Sequence, residues 1–196
     1  MILLLIIIIL ALIFDFINGF HDAANSIATV VTTKVLSPLQ AILWAAFFNF
    51  VAYFIAKYVL KEFGISDTIS KIINKDFVAH IGANPSLIII SALLAAIIWN
   101  LLTWKLGIPS SSSHTLIGGL AGAALAAASF NFESINSIVV LKIMAFIFLA
   151  PIIGFLMGNI ITILTLHLFK NTRPSKAEKW FKRLQLVSSA SLSISH

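Results

Sequence analysis

The chain contains no cysteine, which excludes disulfide bonds and thiolate metal sites. It is almost as poor in charge. Only 10% of its 196 residues are Asp, Glu, Lys or Arg, where a soluble domain carries about a quarter. Acids are the scarcer sign, seven against thirteen basic residues. So few solvated groups exclude an ordinary water-facing surface. Hydrocarbon fills the sequence instead: 60% of residues are hydrophobic and the mean hydropathy is +1.04. Only helices and closed barrels satisfy their backbone in lipid, and the long unbroken apolar runs select helices. The expected fold is all-α, a polytopic helical protein of the plasma membrane. The opening MILLLIIIILALIF lacks a basic n-region, and no small-residue cleavage site follows before Asp15 and Asn18. It reads as the first half of a retained helix rather than a signal peptide.

A spanning helix takes about 20 apolar residues. On that measure helices are predicted at 1–33, broken near Asn18–Gly19, and at 38–60, 85–104, 110–128 and 137–169. Residues 1–169 then form one repeat of about five spans, and 184–196 begin a further helix. Residues 61–84 mix Lys61, Glu62, Asp67, Lys71, Lys75 and Asp76 with Gly64 and Gly82 and read as an extramembrane loop, as do 129–136. Pro85 suits the first turn of the helix that follows. Lys170, Arg173, Lys176, Lys179, Lys182 and Arg183 face a lone Glu178 within 170–183. In a membrane protein such a cluster marks a cytoplasmic loop, not a nucleic-acid site. Five crossings counted back from it place Met1 outside; a re-entrant 110–128 would move Met1 inside. An odd number of crossings would leave a second copy of the unit inverted, a recurrent transporter architecture.

Two polar motifs interrupt this background. In FINGFHDAANSIATVVTT (16–33), Asp22, Asn25, Ser26 and Thr29 fall on one helical face through spacings of three and four. Asn18 and Gly19 precede them. A carboxylate, a carboxamide and two hydroxyls suit a hard monovalent cation or a proton, and Asp22 is the one acid of the stripe. A buried acid is expensive in lipid and defaults to a functional reading, whereas Ser26 and Thr29 serve equally well as helix-packing groups. In GIPSSSSHTLIGGLAGA (107–123), Gly107 and Pro109 break the chain. Ser110, Ser111, Ser112 and Ser113, then His114 and Thr115, open a helix of small residues. Free N–H groups and the positive dipole end make a helix start an anion site, and a phosphate-like oxyanion suits this one. Four consecutive serines exceed what a cap needs. No fixed cation lies in the motif beyond Lys105 before it, which favours release.

GFHDAANSIATVV resembles the first signature of the inorganic phosphate transporter (PiT) family. AAIIWNLLTWKLGIPSSSSHTLIGG is similar to the family's W-N…T-W…G-x-P-x-S-S-S-H-T-L-I-G stretch. The two occur in order, and the likeness runs through nearly the whole chain. It implies an inverted repeat of transmembrane helices that moves inorganic phosphate by symport with sodium or protons, or phosphate as a neutral metal–phosphate complex. No other cofactor is implied. Carried over by position, the resemblance assigns Asp22 and Asn25 to the ion and phosphate site. It assigns Ser110 to Thr115 to phosphate and cation coordination, with His114 on the cation side. In the family an ending like SISH leads into a second G-A-N-D motif, whereas this sequence stops at His196. The resemblance therefore implies the N-terminal half of a transporter, a fragment that does not transport alone and needs a second half-transporter or, less simply, a homo-oligomer. An intramembrane serine hydrolase is the rival class. The sequence has no G-x-S-x-G elbow, and adjacency of Ser113 and His114 does not make a nucleophile and base.

Overall fold

The computed structural model describes residues 1–60 and 65–195. Lys61, Glu62 and Gly64 of the expected loop, and His196, lie outside the described residues. The described residues form the helices α1 (Ile2–Thr32), α2 (Pro38–Phe54), α3 (Ile65–Ser70), α4 (Lys75–His80), α5 (Pro85–Leu106), α6 (Ser112–Ala127), α7 (Ser137–Phe169) and α8 (Pro174–Ser195), with no strand among them. Helix α2 continues as a wider π-wound turn over Ile55–Leu60.

The helix ends follow local chemistry. Val35 N–H reaches Val30 O at 2.9 Å and Lys34 N–H reaches Val31 O at 3.0 Å, closing α1 with Lys34 in the left-handed region at φ 56°. Ser37 and Gln40 cap each other's backbone at the start of α2. Asn84 caps α5 through Ser86 N–H at 3.0 Å, and Pro85 occupies the first turn as expected. Gly107, at φ 66°, ends α5, and Ile108 N–H bonds Thr103 O at 2.9 Å. Pro109 then offers no N–H to continue the helix.

The chain divides into two compact units. The first comprises Met1–His21 and 62–142. Its centre is an antiparallel hairpin of α5 and α6, held close by small residues. Ala92 and Ala96 are fully buried, and a Cβ on Gly119 would lie 2.7 Å from the backbone oxygen of Ala92. Phe14 and Ile17 of α1 pack with Leu93, Ala96 and Ile97 of α5, and Leu116 of α6 lies against this cluster. Val78, Ile88 and Ala124 form a second cluster. The two extramembrane segments are tied by Asn74 N–H to Ser134 O at 2.9 Å and Asn136 N–H to Ile72 O at 2.7 Å. The second unit comprises 22–61 and 143–196. Here α2, which buries Ala41 and Ala45, packs on α8, which buries Ser189, Ala190 and Ser193. Helix α7 buries none of its 33 residues, and Pro151 interrupts its hydrogen bonding midway.

Four expectations change. The break near Asn18–Gly19 is absent: α1 is one continuous helix, because an opened turn at that depth leaves backbone groups without water to satisfy them. Among the described residues four helices, not five, are long and apolar enough to cross a membrane: Ile2–Thr32, Pro38–Val59, Pro85–Leu106 and Ser137–Phe169. Helix α6 has 16 residues, about 24 Å at 1.5 Å per residue, short of a hydrocarbon core of about 30 Å. The basic stretch is largely helical rather than a loop, since α8 starts at Pro174 and not near 184. Glu178 and Lys182 pair one turn apart at 2.7 Å, and that hydrogen bond and charge hold the Glu178 carboxyl below its ordinary range. Finally, the expected loop at 61–84 contains the short helices α3 and α4, the latter capped by the Asn74 side chain on Phe77 N–H at 3.2 Å.

Gly119→Val should cost about 1–3 kcal/mol, since the added carbons meet main chain that cannot swing aside. Thermal unfolding in detergent reads it, with Gly118→Ala as the control: nothing lies within 4 Å of a Cβ there, and stability should hold or rise.

Candidate functional site

The second polar motif sits where the sequence places it, across the start of α6. Ser111 is the cap, in extended conformation, and its hydroxyl accepts from His114 N–H at 3.4 Å. The N–H groups of Ser112 and Ser113 have no carbonyl one turn back, so they lie free of the helix ladder at its positive end. Thr115 is spent on the cap: its hydroxyl donates to Ser111 O at 2.9 Å and lies 3.4 Å from Ser110 Oγ. Ser110, Ser111 and His114 are exposed, Ser113 and Thr115 are half-buried, and Ser112 is buried. The buried serine connects the two motifs, its hydroxyl donating to Asn18 Oδ1 of α1. Nearby, Phe20 and Trp104 meet edge to face at 5.7 Å. Hydroxyls, orphan amides and no fixed cation between Gly107 and Thr115 make a neutral site that can hold an oxyanion and let it go.

The rest of the first motif lies in the second unit. Asp22 is half-buried, Asn25 and Thr29 are exposed, and Ser26 is 2% exposed. Ser26 Oγ donates to Ala23 O at 3.0 Å, while the Ser26 carbonyl accepts from Ser189 Oγ of α8 at 2.7 Å. Thr33 donates to Gln185 Oε1 at 2.6 Å along the same pair of helices. The stripe therefore has one edge packed, at Ser26, and one edge open, at Asn25 and Thr29. Asp22 and Asn25 belong to one unit and Ser110–Thr115 to the other.

Three features escape the sequence reading of the site. Asn18 is the acceptor of the Ser112 hydroxyl within a continuous α1, not the residue before a broken turn. Ser189 and Ser193 of α8 are buried beside the first motif's helix, and Ser193 Oγ has no partner among the described residues. Their spacing of four, on one helical face, is the signal that could have found them. Asn100 of α5 is 1% exposed, and its Nδ2 likewise has no partner among the described residues.

Long apolar helices carrying two motifs rich in hydroxyl and amide groups define a polytopic helical membrane protein. The model of the phosphate transporter family matches residues 18–196. The chain belongs to that family and is a multi-pass protein of the plasma membrane. It is 46% identical over its whole length to a probable low-affinity inorganic phosphate transporter of Bacillus subtilis (strain 168), covering 56% of that protein. It is 44% identical over 95% of its length to one from Rhizobium meliloti (strain 1021), covering 52% of it. A relative from Streptomyces halstedii bearing the same description is 40% identical over 99% of the chain, which covers 85% of that protein. The chain thus spans about half the length of the Bacillus and Rhizobium relatives. Among solved structures, one titled the sodium-dependent phosphate transporter superposes on 99% of this chain with a TM-score of 0.75 at 24% identity, and the chain covers 54% of it. That likeness establishes the fold.

If the Ser112–Asn18 bond fastens α6 to α1, a double-mutant cycle with Ser112→Ala and Asn18→Ala in detergent should give a coupling of about 0.6–1.7 kcal/mol. Ser110→Ala, at an exposed position, should leave stability within about 0.5 kcal/mol.

Proposed function

We propose that the chain serves secondary-active symport of inorganic phosphate, coupled to sodium or protons, and supplies one inverted half of the transporter. The observation that carries this reading is the start of α6. There, orphan backbone N–H groups and serine hydroxyls gather without a fixed cation, and Ser112 is fastened to Asn18 of the other polar motif. In this reading Ser110, Ser111, Ser112, Ser113 and Asn25 bind phosphate, and Thr115 of the same set acts by holding the cap that presents the serines. Ser112 and Ser113 contribute backbone donors, and Ser110 and Ser113 contribute hydroxyls. Asp22, Asn25 and His114 carry the coupling ion. The support is the chemistry of each group, together with the relatives' description as low-affinity inorganic phosphate transporters.

Coupling has a simple electrostatic basis. A carboxylate at membrane depth and an incoming phosphate are both negative, so a cation between them favours binding. A sodium ion or proton on Asp22 removes one negative charge, and phosphate entry is favoured after it. Backbone and hydroxyl donors bind the anion without the permanent charge that would slow its release. A metal–phosphate complex, already neutral, would place less demand on Asp22. The basic stretch 170–183 lies on the cytoplasmic side in this reading.

The test is radiolabelled phosphate uptake in cells lacking their own phosphate transport. The chain is expressed alone and with a complementary half from a full-length relative. Uptake is expected with the complementary half, and Asp22→Asn should lower it at least about tenfold, the range expected when a charge-neutralising step is lost. Replacing sodium at fixed pH, then collapsing the pH gradient at fixed sodium, assigns the coupling ion. Unchanged uptake in Asp22→Asn would remove the coupling role, and absence of uptake in every arm would remove the substrate.

A further inference from the structure

Across the α5–α6 hairpin, Ile88 packs with Ala124, and Ala92 lies against Gly119. Counting about two turns further along α5 from Ala92 and two turns back along α6 from Gly119, helical register puts Asn100 at the level of Ser112. The α1 side gives the same level. Ile17 packs with Ala96 and Ile97, one turn before Asn100, and its neighbour Asn18 accepts the Ser112 hydroxyl. By that register Asn100 falls at the same level as the bonded pair Asn18 and Ser112, one polar layer within the first unit.

The layer is unevenly satisfied. Ser112 is 3% exposed and has a partner, whereas Asn100 is 1% exposed and its Nδ2 has no hydrogen-bond partner among the described residues. Thr103 occupies the backbone oxygen of Asn100, donating to it at 3.1 Å and to Trp99 O at 2.9 Å. The side-chain amide takes no part in that contact. A carboxamide donor buried in a membrane helix and left unpaired is costly, and native structures keep such groups for a reason. Leucine would fit the surrounding Ala96 and Ile97 at no such cost.

Resting on the reading of α6 as the phosphate site, we propose that Asn100 is a further oxyanion-binding residue, its side-chain N–H donating to an oxygen of phosphate held at the start of α6. It is a neutral donor on rigid helix α5, whereas the serines stand at a helix start. It supplies a fixed distance from the hairpin's inner wall. A carboxylate of the same shape would face the anion with charge of the same sign, so Asn100→Asp should be worse than Asn100→Leu for binding, although it preserves shape and polarity. A structural role alone also places Asn100→Asp below Asn100→Leu, because burying a charge costs more than removing an unpaired amide, so the deciding readout is whether the Asn100 side-chain signal responds to phosphate.

The experiment measures equilibrium binding of radiolabelled inorganic phosphate to the full chain in lipid nanodiscs, for the parent and for Asn100→Asp and Asn100→Leu. Thermal unfolding of each is measured alongside, as is the side-chain NMR signal of 15N-labelled asparagine with and without phosphate. The expected result is a Kd raised about tenfold in Asn100→Leu and further in Asn100→Asp, with a side-chain amide signal that shifts on phosphate addition and is absent from both variants. If the parent binds phosphate but Asn100→Leu binds within twofold of it, or the Asn100 signal does not move, this proposal fails and the proposed function stands. If the parent itself does not bind phosphate, both fail. Should Asn100→Leu not fold, the parent's Asn100 side-chain signal decides: a shift on phosphate addition supports the proposal and no shift overturns it.

Discussion

Hydrocarbon offers no hydrogen bonds, and every other feature of this chain answers to that constraint. A backbone or side-chain polar group placed in lipid must find its partner inside the protein. The long helices satisfy their own backbones. The polar side chains placed among them do so in a few specific pairs: Ser112 with Asn18, Ser189 with the Ser26 carbonyl, Thr103 with Trp99 and Asn100. Each pair holds its polar groups at a defined level of a helix, where scattering them would leave each unsatisfied.

The same constraint explains which parts of the sequence were legible. The end of α5 and start of α6 are written in local chemistry that lipid does not alter: a left-handed Gly107, a proline without an N–H, and a serine cap. Asn84 before Pro85 is equally plain. The supposed break at Asn18–Gly19 was misread because glycine and asparagine signal turns in water. Within α1, the neighbouring apolar residues make a continuous helix the cheaper state, and Asn18 turns its amide to Ser112 instead. The start of α8 was misplaced because its basic residues looked like a loop. Pro174 at the first turn and the Glu178–Lys182 pair favour a helix there.

The candidate site was legible in composition and less so in partnership. Four serines after a proline mark a helix start, which α6 has there, and a polar stripe with one acid marks a face of α1. The sequence does not announce that Ser112 alone of the four turns inward, or that Thr115 is consumed by the cap. Nor does it reveal that Ser189 reaches the backbone of Ser26 across more than 160 residues of chain. Such contacts depend on how closely helices approach. That depends in turn on small residues such as Ala92 and Gly119, whose packing role a hydropathy pattern does not report.

The central claim, that the start of α6 holds phosphate, has a direct test that exploits the missing cysteine. Single cysteines placed at Ser113 and, as a control, at Asn131 on the extramembrane segment can be labelled with a charged thiol reagent in reconstituted protein, with no background thiol to remove. The account predicts that phosphate slows labelling of Ser113→Cys in a saturable manner while sulfate does not, and that Asn131→Cys labels at one rate throughout. Equal labelling of Ser113→Cys with and without phosphate would contradict it.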